Sequence, residues 1–325
     1  MKKNQIQTSI IITTFNREKN IFELIGLLNK QLNILKKTIE IIICDSNSKK
    51  RLSILSYIKQ FYGLKIIYYN CKINHQAFKR NYGIKNSVGK YKILIDDDCF
   101  PDNNFLKDFI KILQLNRKRS LYCGLVKYVQ FKENERLIKY RQSRVCYLNE
   151  KENVPNKNFL TMNMGLNSCV LPKINIIFNN KFRNYGFEDF EFAYRFKKNY
   201  YKLLQIKSLV YHRDNRNFDD FLKKYNFLGC YGIIDIIQIN LRAAKELIYY
   251  KIEKNFMINF FLKIPYARLF LHWIERFISF IERKTSFYFP LLYNIGIATA
   301  YLKGVALRKY YREKKFFNSR YEWYK

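Results

Sequence analysis

The chain has 325 residues, 48% of them hydrophobic and 18% aromatic, which excludes a disordered polymer and suits one large domain with an appendage, or two domains. Sixty Lys and Arg against 26 Asp and Glu give a formal net charge of +34, which predicts attraction to something anionic: nucleic acid, an acidic membrane surface or phosphorylated small molecules. The basic residues are spread along the chain and not gathered in a tail, which weighs against nucleic acid.

Seven cysteines (Cys44, Cys71, Cys99, Cys123, Cys146, Cys169, Cys230) form no CxxC pair and no zinc-like spacing. Their odd number, with a polar opening at Met1-Lys2-Lys3-Asn4-Gln5, predicts a reducing cytoplasm and no secretion signal. Only three histidines occur, His75, His212 and His272.

Thr8 to Phe15 is a continuous β-branched run and predicts a buried strand, followed by apolar residues at helical spacing (Ile21, Leu24, Ile25, Leu28, Leu32). Ile39 to Cys44 predicts a second strand, ending at Asp45-Ser46-Asn47-Ser48. A helix over Leu52 to Phe61, a strand over Leu64 to Tyr69 and a helix over Gln76 to Val88 follow, the last carrying Arg80-Asn81. Strands that are apolar throughout and alternate with helices predict a parallel sheet covered on both faces.

The fourth strand, Tyr91-Lys92-Ile93-Leu94-Ile95, runs straight into Asp96-Asp97-Asp98 and is stopped at Pro101. Adjacent carboxylates at the end of a buried strand repel one another and lose solvation. A cation resolves that conflict, and an oxygen-rich donor set suits Mg²⁺ or Mn²⁺. A solvated acidic turn after an edge strand is the plainer account of the same residues. Ligands of such sheets bind beyond the carboxyl ends of the strands, and Thr13, Phe15, Asp45 and Asp96 to Asp98 all fall there.

Downstream, Phe105 to Leu113 predicts a short helix and Leu121 to Phe131 a strand, while Glu133 to Asn158 reads as a charged, loop-rich stretch suited to acceptor binding or to a plain surface insertion. Gly186-Phe187-Glu188-Asp189 precedes an aromatic helical pattern; the two carboxylates serve either as helix N-terminal charges or as a general base at the lip of a cleft. Leu203 to Tyr211 predicts a strand delivering His212 at its carboxyl end, where an imidazole can satisfy a hydrogen bond or join Asp98 as a metal ligand.

From about Ser9 to about His212 these residues resemble the family 2 glycosyltransferases of the GT-A fold. The anchors are Ser9 to Arg17, Glu40 to Ser48, Arg80-Asn81-Tyr82-Gly83-Ile84, Asp96-Asp97-Asp98 and Gly186 to Glu191, in the family's order. The resemblance implies an α/β, GT-A type nucleotide-binding fold with a mostly parallel central sheet, and an inverting, metal-dependent transfer from a nucleotide-sugar to a hydroxyl. Thr13 and Phe15 would border the nucleobase, Asp45 would bond it, and Arg80 would approach the base or diphosphate. Asp96 would contact the ribose, with Asp97 beside it in the donor site. Asp98, with His212, would hold Mn²⁺ or Mg²⁺. Asp189 would deprotonate the acceptor, with Glu188 helping to hold it. Ser46 stands where many users of uridine nucleotides carry a second carboxylate, so UDP is favoured without being fixed.

The resemblance stops near Asp219, placing a catalytic domain at 1–218 and a helical appendage at 219–325. Arg268, His272, Glu275, Arg276, Ser279, Glu282 and Arg283 form a polar stripe on a helix rich in Phe, Trp and Ile, and a basic run covers 308–315. The appendage either lies on an anionic membrane face, near a glycan or lipid-linked acceptor, or packs on protein. The expected partners are a nucleotide-sugar, UDP-linked by preference, and an acceptor in bacterial surface-glycan synthesis, at the cytoplasmic side of the membrane. A polyprenyl-phosphate or peptide acceptor on the same scaffold is the alternative. A basic nucleic-acid-binding protein, the reading from another class, accounts for the charge but leaves the acidic triplet and Glu188-Asp189 without a role.

Overall fold

A computed structural model of the protein describes residues 6–35, 39–46, 51–61, 64–115, 119–145, 147–168 and 177–313. The polar opening at 1–5, Asn47, Ser48, Cys146, Cys169, Lys314 and Lys315 lie outside the described residues. The chain divides into two compact units that are discontinuous in sequence: 1–129 with 145–180 and 192–214, and 130–144 with 181–191 and 215–325.

The first unit is built on an eight-stranded sheet in the order β3-β2-β1-β4-β7-β6-β8-β5. β1 (Thr8–Thr14), β2 (Ile39–Asp45), β3 (Lys65–Asn70) and β4 (Tyr91–Asp96) are mutually parallel, as the alternation of apolar strands and helices requires. Every residue of β1 and β2 is buried, because helices cover both faces. One core layer gathers Ile10, Ile12, Leu24, Leu28 and Ile93, with Phe105 and Phe109 from a later helix. The other gathers Ile11, Ile42, Leu94, Phe159, Phe178, Phe192 and Phe196. The helices are α1 (Glu18–Leu35), α2 (Arg51–Ile58), α3 (Gln76–Lys85) and α4 (Phe105–Gln114).

The second half of the sheet is mixed. β7 (Asn163–Asn167) pairs antiparallel with both β4 and β6 (Ser120–Tyr128), and β8 (Lys202–His212) runs parallel to β6. β5 (Cys99–Pro101) pairs antiparallel with β8 at the sheet's edge. Pro101, a strand stop by its sequence, lies inside β5, because proline is tolerated at the rim of a sheet, where an amide hydrogen bond is dispensable.

The stretch read as loop-rich holds an eight-residue helix, α5 (Glu135–Gln142), with Leu137, Ile138, Tyr140 and Arg141 buried beneath its charges. α5 belongs to the second unit, as does the start of α6 (Glu188–Lys198). That unit continues as α7 (Phe218–Phe227), a π-helical turn at Leu228–Gly232, and α8 (Ile233–Ile239), α9 (Leu241–Lys245), α10 (Ile248–Lys254) and α11 (Phe256–Phe261). It closes with α12 (Ala267–Lys284) and α13 (Pro290–Glu313). Pro290 starts α13 where its missing amide proton costs nothing. Among the described residues no helix is long and apolar enough to cross a membrane.

α12 turns part of its polar stripe inward. Ser279 is buried and Glu275 and Glu282 are paired with Lys303 and Arg136, while Trp273, Phe277 and Phe280 stand in solvent. Hydrophobic periodicity gives a helix two faces without saying which one turns inward.

Candidate functional site

The first unit concentrates charge at the carboxyl ends of its parallel strands. Register sets Thr13 of β1 opposite Asp96 of β4, and Thr14 opposite Asp45 of β2, so the polar ends of three strands share one level. Thr13 Oγ1 donates to Asp96 Oδ1 at 3.2 Å, and Thr14 Oγ1 to Asp97 Oδ2 at 2.6 Å. Beyond Thr14 the chain passes through half-buried Phe15 and reverses at Asn16, whose φ of 56° is a left-handed conformation that asparagine tolerates. The turn presents Arg17, whose Nη1 reaches Asp97 Oδ1 at 2.9 Å and Asp98 Oδ2 at 2.6 Å.

α3 supplies two further cations from adjacent positions. Lys79 is fully buried and donates to the Thr14 carbonyl at 2.9 Å and to Asn74 Oδ1 at 3.0 Å. Arg80 Nη2 lies 3.0 and 3.1 Å from the two oxygens of Asp96. Asp45, buried at the end of β2, accepts the Tyr68 hydroxyl at 2.7 Å. Four carboxylates and three cations therefore gather in a largely desolvated place.

Antiparallel pairing of β5 with β8 sets Cys99 against His212 and brings the imidazole beside Asp98. His212 Nε2 lies 3.3 Å from Asp98 Oδ1, Tyr128 packs against the ring at 5.2 Å between centroids, and Nδ1 is buried with no hydrogen-bond partner among the described residues. Among the described residues the ring's polar engagement is thus through Nε2, toward Asp98. Donor atoms of Asp98, Cys99 and His212 all lie within 4.8 Å of one another.

The electrostatics sort these donors. Burial pushes the Cys99 thiol well above its ordinary value, and the charges of Asp98, Asp96 and Asp97 push it further; a thiol is also a softer donor than Mg²⁺ or Mn²⁺ prefers. Burial works against the Asp98 carboxylate too, but His212 and Arg17 outweigh it and hold Asp98 well below the usual carboxylate range. Burial and the Asp98 charge push neighbouring Asp97 up to about 7, opposed by Arg17 and Thr14. The donors suited to a hard divalent ion are the Asp98 carboxylate oxygen and the His212 imidazole nitrogen. Two donors of one octahedral ion bound at about 2.0–2.1 Å stand about 3 Å apart, and the 3.3 Å spacing fits a Mg²⁺ or Mn²⁺ site.

Glu188 and Asp189 open α6 in the second unit, after Gly186 and Phe187 in left-handed conformations, φ 116° and 66°. The Gly186 conformation is one that favours glycine, and a Cβ there would also press on the tip of the Leu228 side chain at 2.1 Å. Glu188 is buried and its Oε2 accepts the Gly186 amide at 3.0 Å, while Asp189 is half-buried. The approach to this turn is held by buried Asp235, which accepts the amides of Arg183 and Asn184 at 2.8 Å each.

Of the expected site residues, Thr13, Asp96, Asp97, Asp98, Arg80 and His212 come together, and Asp45 lies in register with them. Thr14, Arg17, Tyr68 and Lys79 were not assigned roles from the sequence. A Lys-Arg pair early in a helix that follows a parallel strand was the available signal for Lys79; the others depend on contacts between elements.

Residues 9–219 match the sequence profile described as Glycosyl transferase family 2, and the chain belongs to that family. A Methanococcus voltae enzyme, dolichyl N-acetyl-alpha-D-glucosaminyl phosphate 3-beta-D-2,3-diacetamido-2,3-dideoxy-beta-D-glucuronosyltransferase, is 33% identical over 114 residues, 34% of this chain and 35% of that one. The poly(ribitol-phosphate) beta-N-acetylglucosaminyltransferase TarS of Staphylococcus aureus is 24% identical over 147 residues, 43% of this chain and 26% of its own. The chain thus matches about a third or less of the length of these curated relatives. Among solved structures, TarS 1–349 in complex with UDP-GlcNAc gives a TM-score of 0.52 at 16% identity, covering 95% of this chain and 92% of that one. The mannosyltransferase PcManGT of Pyrobaculum calidifontis, in complex with GDP-Man and Mn²⁺, gives 0.57 at 12% identity, covering 95% and 88%. The fold is that of the GT-A glycosyltransferases.

Proposed function

We propose that this chain is an inverting, metal-dependent glycosyltransferase that moves a sugar from a nucleotide-sugar, UDP-linked by preference, to a hydroxyl of a bacterial surface glycan or its lipid-linked precursor at the cytoplasmic side of the membrane. The supporting observation is the acidic level at the ends of β1, β2 and β4, joined by His212 at 3.3 Å from Asp98. The nucleotide-sugar complexes of TarS and PcManGT, and the Mn²⁺ of the latter, favour the same reading.

In this reading Thr13 and Phe15 border the nucleobase, and Asp45, steadied by Tyr68, hydrogen-bonds it. Arg80 fixes Asp96 for the ribose and adds positive charge toward the diphosphate. Asp97, clamped by Thr14 and Arg17, keeps the acidic loop in place. Asp98 and His212 hold the divalent cation, which when bound supplies Lewis-acid stabilisation of the departing diphosphate. Asp189 takes the proton from the acceptor hydroxyl as its oxygen bonds the anomeric carbon and the bond from that carbon to the diphosphate breaks; attack from the opposite face inverts the centre. Glu188 shapes the turn that carries Asp189 and helps to hold the acceptor.

A panel of nucleotide-sugars assayed with Mn²⁺ and candidate acceptors tests the assignment. Asp189→Asn is expected to keep donor binding and lose about 10²–10⁴-fold in transfer. Transfer at the parental rate would remove Asp189 from the mechanism.

A further inference from the structure

Of the 24 large hydrophobic residues exposed among the described residues, 13 lie between Phe256 and Leu291. On α12, Leu269, Trp273, Phe277 and Phe280 recur every three or four positions and form one outward stripe, with Trp273 65% exposed. Phe270 extends it toward α11, where it meets Phe261 edge to face at 6.2 Å; Phe256 and Phe260 of α11 are also exposed. Soluble surfaces rarely carry so dense an aromatic patch without a partner.

The charges around the patch are mostly positive. Residues 253–284 contain three carboxylates and six bases. All three carboxylates are tied up internally: Glu253 bidentate to Arg308, Glu275 to Lys303, and Glu282 to Arg136 at 3.4 Å and the Tyr293 hydroxyl at 3.2 Å. All six bases (Lys254, Lys263, Arg268, Arg276, Arg283, Lys284) are exposed, and Arg283 among them lies 3.3 Å from Asp219 Oδ2. A second copy of this face would bring like charges together, whereas an anionic bilayer answers both features: rings enter the headgroup boundary and the bases meet lipid phosphates. The helix cannot cross that bilayer.

We infer that α11 and α12 form an interfacial docking face for an anionic lipid bilayer, with Trp273, Phe277 and Phe280 inserting and Arg276 and Arg283 beside them on the headgroups. The inference stands apart from the transferase reading, since lipid binding and nucleotide binding are read separately.

The test uses the full chain carrying Trp323→Phe, which leaves Trp273 as the sole tryptophan of the two in the sequence. It is sedimented with vesicles of phosphatidylcholine mixed with phosphatidylglycerol, and with vesicles of phosphatidylcholine alone. The expected result is binding to the anionic vesicles that weakens with salt, with a blue shift of Trp273 emission. Phe277→Glu and Phe280→Glu change exposed residues, so circular dichroism should show an intact fold while partitioning falls roughly tenfold or more; Arg276→Gln should cost about fivefold. No binding to anionic vesicles at low salt overturns the inference, and so does binding unaffected by Phe277→Glu. A dimer in sedimentation equilibrium that Phe277→Glu dissociates, with no lipid binding, overturns it in favour of a second copy.

Discussion

The two units depart from ordinary packing in opposite directions. The first takes charge inside: Lys79, Arg80, Asp45 and Asp97 are all buried. The second sends aromatic rings outside, along α11 and α12. Each departure costs folding free energy locally, because buried charge loses solvation and exposed rings forgo burial. A chain keeps such arrangements where something else completes them. In the proposed reading the clustered carboxylates and His212 of the first unit are completed by a cation and its nucleotide, and the aromatic and basic face of the second by a lipid surface.

Substitutions separate the two cases. Phe192→Ala, inside the stacked cluster with Phe178 at 4.7 Å and Phe196 at 4.3 Å, should cost about 3–5 kcal/mol in urea unfolding. Arg80→Met strips the partner from Asp96 and should cost a similar amount, about 3–5 kcal/mol; a neutral result would mean that the first unit's buried charge is not held by pairing. Lys92 offers a pH-resolved version. Burial lowers its pKa from 10.5 to about 8, against the pull of Glu40. The unfolded chain binds the proton more tightly, so this group's contribution to stability rises as pH climbs from about 8 to 10.5, and its cost is fully present below that window. Lys92→Met should accordingly stabilise the protein by about 1–3 kcal/mol near neutral pH, with the gain fading toward pH 10. A gain that persists undiminished at high pH would contradict the assignment. Smallest of all, Phe277→Ala should stay within about 0.5 kcal/mol, since its ring packs in solvent; a loss like that of Phe192→Ala would show that the ring is covered in the free protein.

The first four strands, their helices and the acidic triplet were legible because unbroken apolar runs, helical spacing and charge at strand ends are all local signals. His212 was legible as a strand-end residue that could join Asp98, while the pairing of β5 with β8 that brings them together was not, because Pro101 reads as a stop. Arg17, Tyr68 and Lys79 were hidden for a related reason. Their partners lie 80, 23 and 65 residues away in sequence, and only the assembled sheet supplies the proximity. α5 was obscured by charged side chains flanking its buried Leu137, Ile138 and Tyr140. The orientation of α12 turns on where Glu275 and Glu282 find partners, which one-dimensional periodicity does not encode.

The most direct measurement is calorimetric titration of the purified chain with UDP, GDP and dTDP, each with and without Mn²⁺, repeated on Asp98→Asn and His212→Ala. One nucleotide should bind in a Mn²⁺-dependent manner, with binding lost in Asp98→Asn and weakened about 10–100-fold in His212→Ala. A folded protein that binds none of the three, or an Asp98→Asn variant that binds as the parent does, would contradict the cation and nucleotide site at the ends of β1, β2 and β4.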